Sequence, residues 1–256
     1  MEPEQYQVMF RREDRHWWYA GMRRASLALL RDVVGNRPAL RILDAGCGTG
    51  GTTVRLRALG DVCGVDLRQE AVAPAASRGL GGRLAQAGVE WLPFRTASFD
   101  IVTSFEVLYH LGVGSDDAAL AEFRRVLRPG GLLLLRLPAH DWLRGRHDRL
   151  VHTRRRYTVR EVRTKLQQAG FRVEYATWAN SALFLPAAAK RLLDGLALRQ
   201  AAPDAGAEPD LWMPPSAVNW LLEQCVAAEG AAFRRRFHLP LGLSVLALAR
   251  ADHGAF

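Results

Sequence analysis

The chain has little cysteine. Cys47, Cys63 and Cys225 are the only three in 256 residues. They form no CxxC pair and stand apart from the histidines, which argues against a disulfide framework and a structural zinc. Lysine is almost absent: of 35 basic residues only Lys165 and Lys190 are not arginine. No apolar run approaches the roughly 18 residues that span a bilayer. The opening, MEPEQYQVMFRREDR, is charged and lacks the apolar stretch of a secretory signal. Apolar residues make up 49% and charged residues 24%, a balance that excludes disorder, a collagen-like fibre and a coiled coil. A single cytoplasmic domain is the expectation.

The net charge is +9. Richness in arginine, alanine and glycine fits a GC-rich genome, so the total is a weak pointer to nucleic acid. Its distribution says more. Arg144, Arg146, Arg149, Arg154, Arg155, Arg156, Arg160 and Arg163 face only Asp148 and Glu161 in the same stretch. The segment reads either as a solvated surface or as a rim whose field attracts an anionic acceptor.

Helix and strand patterns alternate for most of the length, which predicts an α/β sheet that is mostly parallel. Helices are expected over 14–34, 52–59, 69–78, 116–127 and 158–168. Ser115 is a candidate N-cap. Strands are expected over 41–45, 62–65, 83–87, 101–104, 132–137, 172–178 and 243–249. The run Leu132–Leu137 reads as a strand buried on both faces. Arg128-Pro-Gly-Gly131 reads as a turn. Between 180 and 233 the rhythm breaks. Two helices, 186–198 and 217–228, flank a linker rich in Pro, Gly and Ala. This insertion is of the kind that forms a lid, an acceptor pocket or a dimer surface. The expected organisation is a helical cap over 1–35, a core over 36–179, a helical insertion over 180–233 and a final strand within 234–256.

The strongest motif is LRILDAGCGTGGTT, residues 40–53. A strand enters a turn containing Gly46, Gly48 and Gly50, and a helix follows. Such a turn lets backbone approach a ligand and aims free N–H groups at a polar one. Gly46, Gly48 and Gly51 also satisfy GxGxxG, so a dinucleotide site is a competing reading. Asp44 weighs against it, since a carboxylate there suits an ammonium and repels a pyrophosphate. Asp66 ends the next strand, where it suits a ribose diol, and Leu67 beside it suits a purine face. WLPFRTASFDIVTSFEVLYHL and LRPGGLLLLRLP follow at helix-length intervals.

Together these residues resemble the class I S-adenosylmethionine-dependent methyltransferases, of the bacterial small-molecule type. The resemblance implies a Rossmann-like, seven-stranded sheet of order 3-2-1-4-5-7-6 with helices on both faces and the last strand antiparallel. It implies S-adenosylmethionine as cofactor and S-adenosylhomocysteine as product. Asp44, Gly46, Cys47, Gly48 and Gly50 would line the methionine and ribose side. Asp66 would accept the ribose hydroxyls, Leu67 would touch adenine, and Phe105 would offer its carbonyl to the ammonium. The family often carries an acidic residue where this chain has Gly88, so backbone over Gly88, Val89 and Glu90 must serve. Cys47 is read as packing, not as a nucleophile. In Glu13–Tyr19 the aromatic density reads as a core-covering helix, or as a cap with Tyr19 or Arg23 near the cofactor carboxylate.

Acceptor chemistry is expected after the fourth and fifth strands. His110 follows the fourth. His140, His147, Asp148, His152, Arg156 and Tyr157 crowd the loop after the fifth. His147-Asp148 and Arg155-Arg156-Tyr157 resemble a bacterial subset with HD, a short gap, a His and RRY. The subset's His falls at Thr153, with His152 one place early. The catalytic candidates are therefore His147, Asp148, His152 and His110, with no metal. The implied function is O-methylation of a small molecule, a glycan or a lipid-linked metabolite. A nucleic-acid methyltransferase would use the arginines for phosphates, but no N/D-PP-[YF] or catalytic Cys motif follows the fourth strand. A non-catalytic cofactor-binding subunit is the third reading. The apolar insertion and the arginines together also suit contact with an anionic lipid surface.

Overall fold

The computed structural model describes residues 3–145, 148, 151–197 and 213–252. Seven strands form one sheet: β1 Leu40–Ala45, β2 Gly60–Asp66, β3 Leu84–Gln86, β4 Phe99–Phe105, β5 Leu127–Pro138, β6 Phe171–Ala179 and β7 Ser244–Ala251. Their order is β3-β2-β1-β4-β5-β7-β6. β7 is antiparallel to β5 and β6, and the β1, β2, β3, β4 and β5 pairings are parallel. All but β7 therefore end on one edge, where ligands of open α/β sheets bind.

Side chains alternate across each strand, so adjacent apolar residues serve opposite faces. Leu43, Val102, Leu133 and Leu135 pack with Leu120 and Phe123 of α5 (Asp116–Val126) and Val162 and Leu166 of α6 (Val159–Gln168). Ile42, Ile101, Leu132 and Leu134 pack instead with Leu29 and Leu30 of α2 (Trp17–Val34) and Phe233 of α8 (Ser216–Arg234). That division explains the four consecutive leucines of β5, Leu132–Leu135. Ser115 caps α5 by accepting from Ala118 N. Thr158 and Glu161 form a capping box on α6.

Five elements differ from the sequence expectation. A helix not expected, α1 Pro3–Arg12, precedes the expected one, α2, which His16 caps by accepting from Trp18 N. α3 Gly51–Leu56 and α4 Gln69–Ala75 are short, and α4 continues into a wide turn, Ala76–Leu80. Arg128–Gly131 lies inside β5, as an irregular strand start opposite Phe99 and Ile101. α8 extends to Arg234 because its later turns bury Val226, Gly230 and Phe233. Between β6 and β7 stand α7 Phe184–Ala197 and α8. The intervening linker falls largely outside the described residues.

α8 packs along α2, which lets the inserted helix brace the N-terminal one. Arg24 pairs with Glu223 at 2.7 Å, and Asn219 Oδ1 accepts from Trp17 N at 3.0 Å. The helices approach closely at Gly21, where an added Cβ would lie 2.8 Å from Val226 Cβ. We expect Gly21→Val to destabilise the protein by about 1–3 kcal/mol through overpacking. Urea unfolding measures it, and an unchanged midpoint would contradict this packing.

Candidate active site

A cavity of about 510 Å³ opens along the carboxyl edge of the sheet. At one end Asp44 closes β1. It is buried, and both oxygens accept hydroxyl hydrogen bonds, from Thr53 Oγ1 at 2.7 Å and Thr103 Oγ1 at 2.8 Å. Thr103 stands beside Asp44 because β4 pairs with β1 in that register. Burial pushes the Asp44 carboxyl up to about 6, and nearby Asp66 adds to the shift. Among the described residues no Arg or Lys pairs with it.

Asp66 closes β2. Its oxygens accept from Gly48 N at 2.9 Å and Arg68 N at 3.1 Å. Burial still raises its pKa despite those bonds. Gly46 and Gly48 take φ of +83° and +53°, which glycine adopts without strain. A Cβ on Gly46 would also lie 2.2 Å from Val107 Cγ2. Both glycines and Cys47 line the cavity. The Cys47 thiol is buried and its pKa is pushed up, the state of a packing residue. Gly50 instead packs toward Ala75 and Leu80 and does not line the cavity.

Leu67 is 45% exposed and forms an apolar shelf near Gly88 and Gly112. Gly88 and Val89 line the cavity, but Glu90 does not. The Glu90 carboxylate accepts from Gly114 N and Ser115 N, which fixes the turn into α5.

The roof comes from α1 and the start of α2. Tyr6, Met9 and Glu13 line the cavity; the sequence reading had Glu13 in a candidate cap but singled out neither Tyr6 nor Met9. Their spacing on one helical face was the available signal. Arg78 holds this roof down. It donates to Thr49 O at 2.8 Å, Phe10 O at 3.2 Å, Glu13 Oε1 at 2.9 Å and Asp14 Oδ2 at 2.5 Å. Glu13 also accepts from Thr49 Oγ1 at 2.5 Å. Tyr19 lines the cavity, its phenol pushed up by burial and by Glu13 and Glu106. Arg23 does not line it, and donates instead to Glu13 O at 3.3 Å.

Towards β5 and β6 the wall changes character. Phe105 and Glu106 follow Thr103 and Ser104 into the cavity, and Glu106 has a φ of +57°. Arg136, buried in β5, donates to Glu106 Oε1 at 2.9 Å and Ser26 Oγ at 3.1 Å. Its guanidinium lies 4.9 Å from the Phe105 ring centre. Neither Glu106 nor Arg136 was singled out from sequence. The signal was an arginine inside the apolar run of β5.

His110, Asp148, His152 and Arg156 all line this end. His147 lies outside the described residues. His110 Nδ1 is 2.7 Å from the Val151 carbonyl, so that nitrogen carries the proton. Burial lowers the His110 pKa to about 4, which leaves the ring neutral near pH 7. Asp148 accepts from Gly145 N at 2.7 Å and from Arg156 Nε at 2.8 Å and Nη2 at 3.1 Å. Burial acts to raise its pKa, but Arg156 outweighs it and holds the carboxyl below the usual range. Asp148 thus clamps its loop as a fixed counter-ion. His152 has a φ of +56°, and its carbonyl accepts from Leu111 N at 2.9 Å. Among the described residues no cluster of three or more His, Cys, Asp or Glu stands ready to hold a metal.

A methyltransferase-domain family model matches residues 43–135. The trans-aconitate 2-methyltransferase of Deinococcus radiodurans is 30% identical over 187 residues, 72% of this chain and 67% of that protein. The chain belongs to the class I S-adenosylmethionine-dependent methyltransferases. A malonyl-[acyl-carrier protein] O-methyltransferase of Enterobacter lignolyticus is 37% identical over 125 residues, 47% of each protein. The match spans about half the length of that relative and of several others. A chain solved with the Haloferax volcanii Trm112 methyltransferase activator superposes with a TM-score of 0.61 at 21% identity, covering 99% of this chain and 96% of that one. It shares the fold.

The methyltransferase cofactor is S-adenosylmethionine, and the cavity's chemistry fits it. A buried carboxylate without a partner cation suits an ammonium. A second carboxylate keeps lone pairs beyond its two backbone donors for a diol, and Leu67 offers an aliphatic face. We expect Asp66→Ala to weaken S-adenosylhomocysteine binding by about 1–3 kcal/mol, the range for charge-assisted bonds to two hydroxyls. Titration calorimetry reads this directly. An unchanged dissociation constant would put the ribose elsewhere.

Proposed function

We propose that the protein methylates an oxygen of a small-molecule, glycan or lipid-linked acceptor. One observation carries this reading. A single cavity, within the size range of small-ligand sites, joins Asp44 and Asp66 to Asp148, His152 and Arg156. The name of the Enterobacter relative, an O-methyltransferase, supports oxygen as the acceptor atom.

When bound, S-adenosylmethionine supplies an activated sulfonium methyl group. The chain's residues hold and orient. Asp44 and the Phe105 carbonyl receive the ammonium, Asp66 the ribose hydroxyls, and Leu67 with Gly88 and Val89 the adenine. Tyr19, Tyr6 and Met9 exclude water from above, and positioning with desolvation supplies most of the rate. Asp148, held ionised by Arg156, fixes the loop against the acceptor. His110, neutral and bonded to Val151, is a weak base. We assign the acceptor's proton to His152.

The ion pairing supports a small acceptor over nucleic acid. Arg144, Arg154, Arg155 and Arg156 pair with Asp141, Asp116, Glu161 and Asp148 at 2.9, 3.4, 2.9 and 2.8 Å. Much of the basic segment is thereby neutralised. No described helix is long and apolar enough to cross a membrane. The three free thiols fit a reducing compartment.

The reading is tested by incubating the protein with methyl-labelled S-adenosylmethionine and a bacterial metabolite extract, then identifying the labelled product. Label in a small oxygen-methylated compound is expected; label only in nucleic acid would refute it. On that product, His152→Asn tolerates the left-handed backbone and removes the base. Turnover should drop about 10²–10⁴-fold while S-adenosylhomocysteine affinity holds. Wild-type turnover would remove His152 from the chemistry.

A further inference from the structure

Asn180 follows β6 on the same carboxyl edge as Asp44 and Asp66, but on the far side of the sheet from Asp66. It lines the cavity near Arg136, Pro138 and Ser244. Ser244 is the register partner of both Pro138 and Ala179, so these residues share one patch of wall. Asn180 is fully buried, yet among the described residues neither its Oδ1 nor its Nδ2 has a hydrogen-bond partner. A buried amide left wholly unpaired is costly and calls for an explanation.

Backbone demands do not supply it. The φ of Asn180 is +60°, which asparagine tolerates but glycine adopts without burying an amide. The main chain is also held independently of the side chain. The buried carboxylate of Glu229, on α8, accepts from Asn180 N at 2.7 Å and Ser181 N at 2.6 Å. Leu243 N donates to Asn180 O at 3.4 Å. The insertion thus fixes Asn180 rigidly and leaves its amide unserved.

We propose that Asn180 is a specificity-determining residue of the acceptor subsite and reads a hydroxyl or carboxamide of the acceptor. The proposal rests on the methyltransferase reading of the cavity. The complement of an amide is a neutral group that both donates and accepts. A carboxylate, which only accepts, would leave Oδ1 without a donor, and an ammonium, which only donates, would leave Nδ2 without an acceptor. The local charge agrees, since Arg136 is already compensated by Glu106 at 2.9 Å. The position agrees as well, because the sheet order places β6 away from the nucleotide half of the cavity.

The test uses the full chain saturated with S-adenosylhomocysteine and labelled with ¹⁵N. Acetamide, 1,2-propanediol and acetate are titrated separately while the Asn180 side-chain amide resonance is followed. Acetamide and propanediol should shift it saturably, and acetate should not. In Asn180→Gly, which keeps the left-handed backbone, both neutral probes should bind about tenfold weaker or worse. Cofactor-product affinity should stay within about twofold. A resonance that ignores all three probes, or answers acetate equally, overturns the proposal, with a trapped water then serving the amide. Loss of S-adenosylhomocysteine binding in Asn180→Gly would also overturn it, by assigning the residue to the cofactor. A wild-type chain that binds no S-adenosylhomocysteine would sink the methyltransferase reading on which it rests.

Discussion

A carboxylate buried with no cation paired to it among the described residues governs this molecule. Asp44 accepts from two hydroxyls, and burial lifts its pKa to about 6 from 3.8. A raised pKa means the unfolded chain releases this proton first. The empty fold therefore loses stability as pH rises from about 4 to about 6 and carries the full cost above that. A bound ammonium would offset the cost, since an opposite charge favours the ionised form. Much of the surrounding structure reads as support for keeping this one charge in place. Parallel register sets Thr103 beside it, and the glycine turn brings the Gly48 N–H to Asp66 next door.

The roof serves the same end. Water reaching Asp44 would relieve the carboxylate and weaken its attraction for a cation. Arg78 prevents this by bonding α1, the α1–α2 turn and the glycine loop at once. α2 is in turn braced by α8, which comes from the insertion before β7. The insertion thus bears on the Asp44 end of the cavity through α2 and on its Asn180 end through Glu229.

Features governed by local spacing were legible in the sequence. Strand order followed from the resemblance carried by Asp44, Asp66 and the glycine turn. Strand cores followed from β-branched and leucine runs. Features made by pairing across the chain were not. Arg136 meets Glu106 across 30 positions, and Asn180 meets Glu229 across 49. No local pattern announces either partner. α1 was missed for a different reason. A helical cap was expected over 1–35, but its charged first residues were weighed only against a secretory signal, and Tyr6 and Met9, which share a face of α1, were not picked out. Arg128-Pro-Gly-Gly131 carried true turn chemistry, but the pairing of its flanks, Leu127 with Phe99 and Leu132 with Ile101, makes it an irregularity within β5. The arginine-rich segment looked like free positive charge because its partners Asp116 and Asp141 lie outside it in sequence.

The central claim is that the ionised Asp44 side chain holds the cofactor's ammonium. It is tested most directly by measuring S-adenosylhomocysteine affinity by calorimetry from pH 5 to pH 8. Affinity should be flat above about pH 7 and fall by up to about tenfold per unit below pH 6, as Asp44 takes up a proton. Near pH 6 binding should release about half a proton, seen by comparing buffers of different ionisation enthalpy. An affinity that stays constant across the range, or that rises on acidification, would contradict the account.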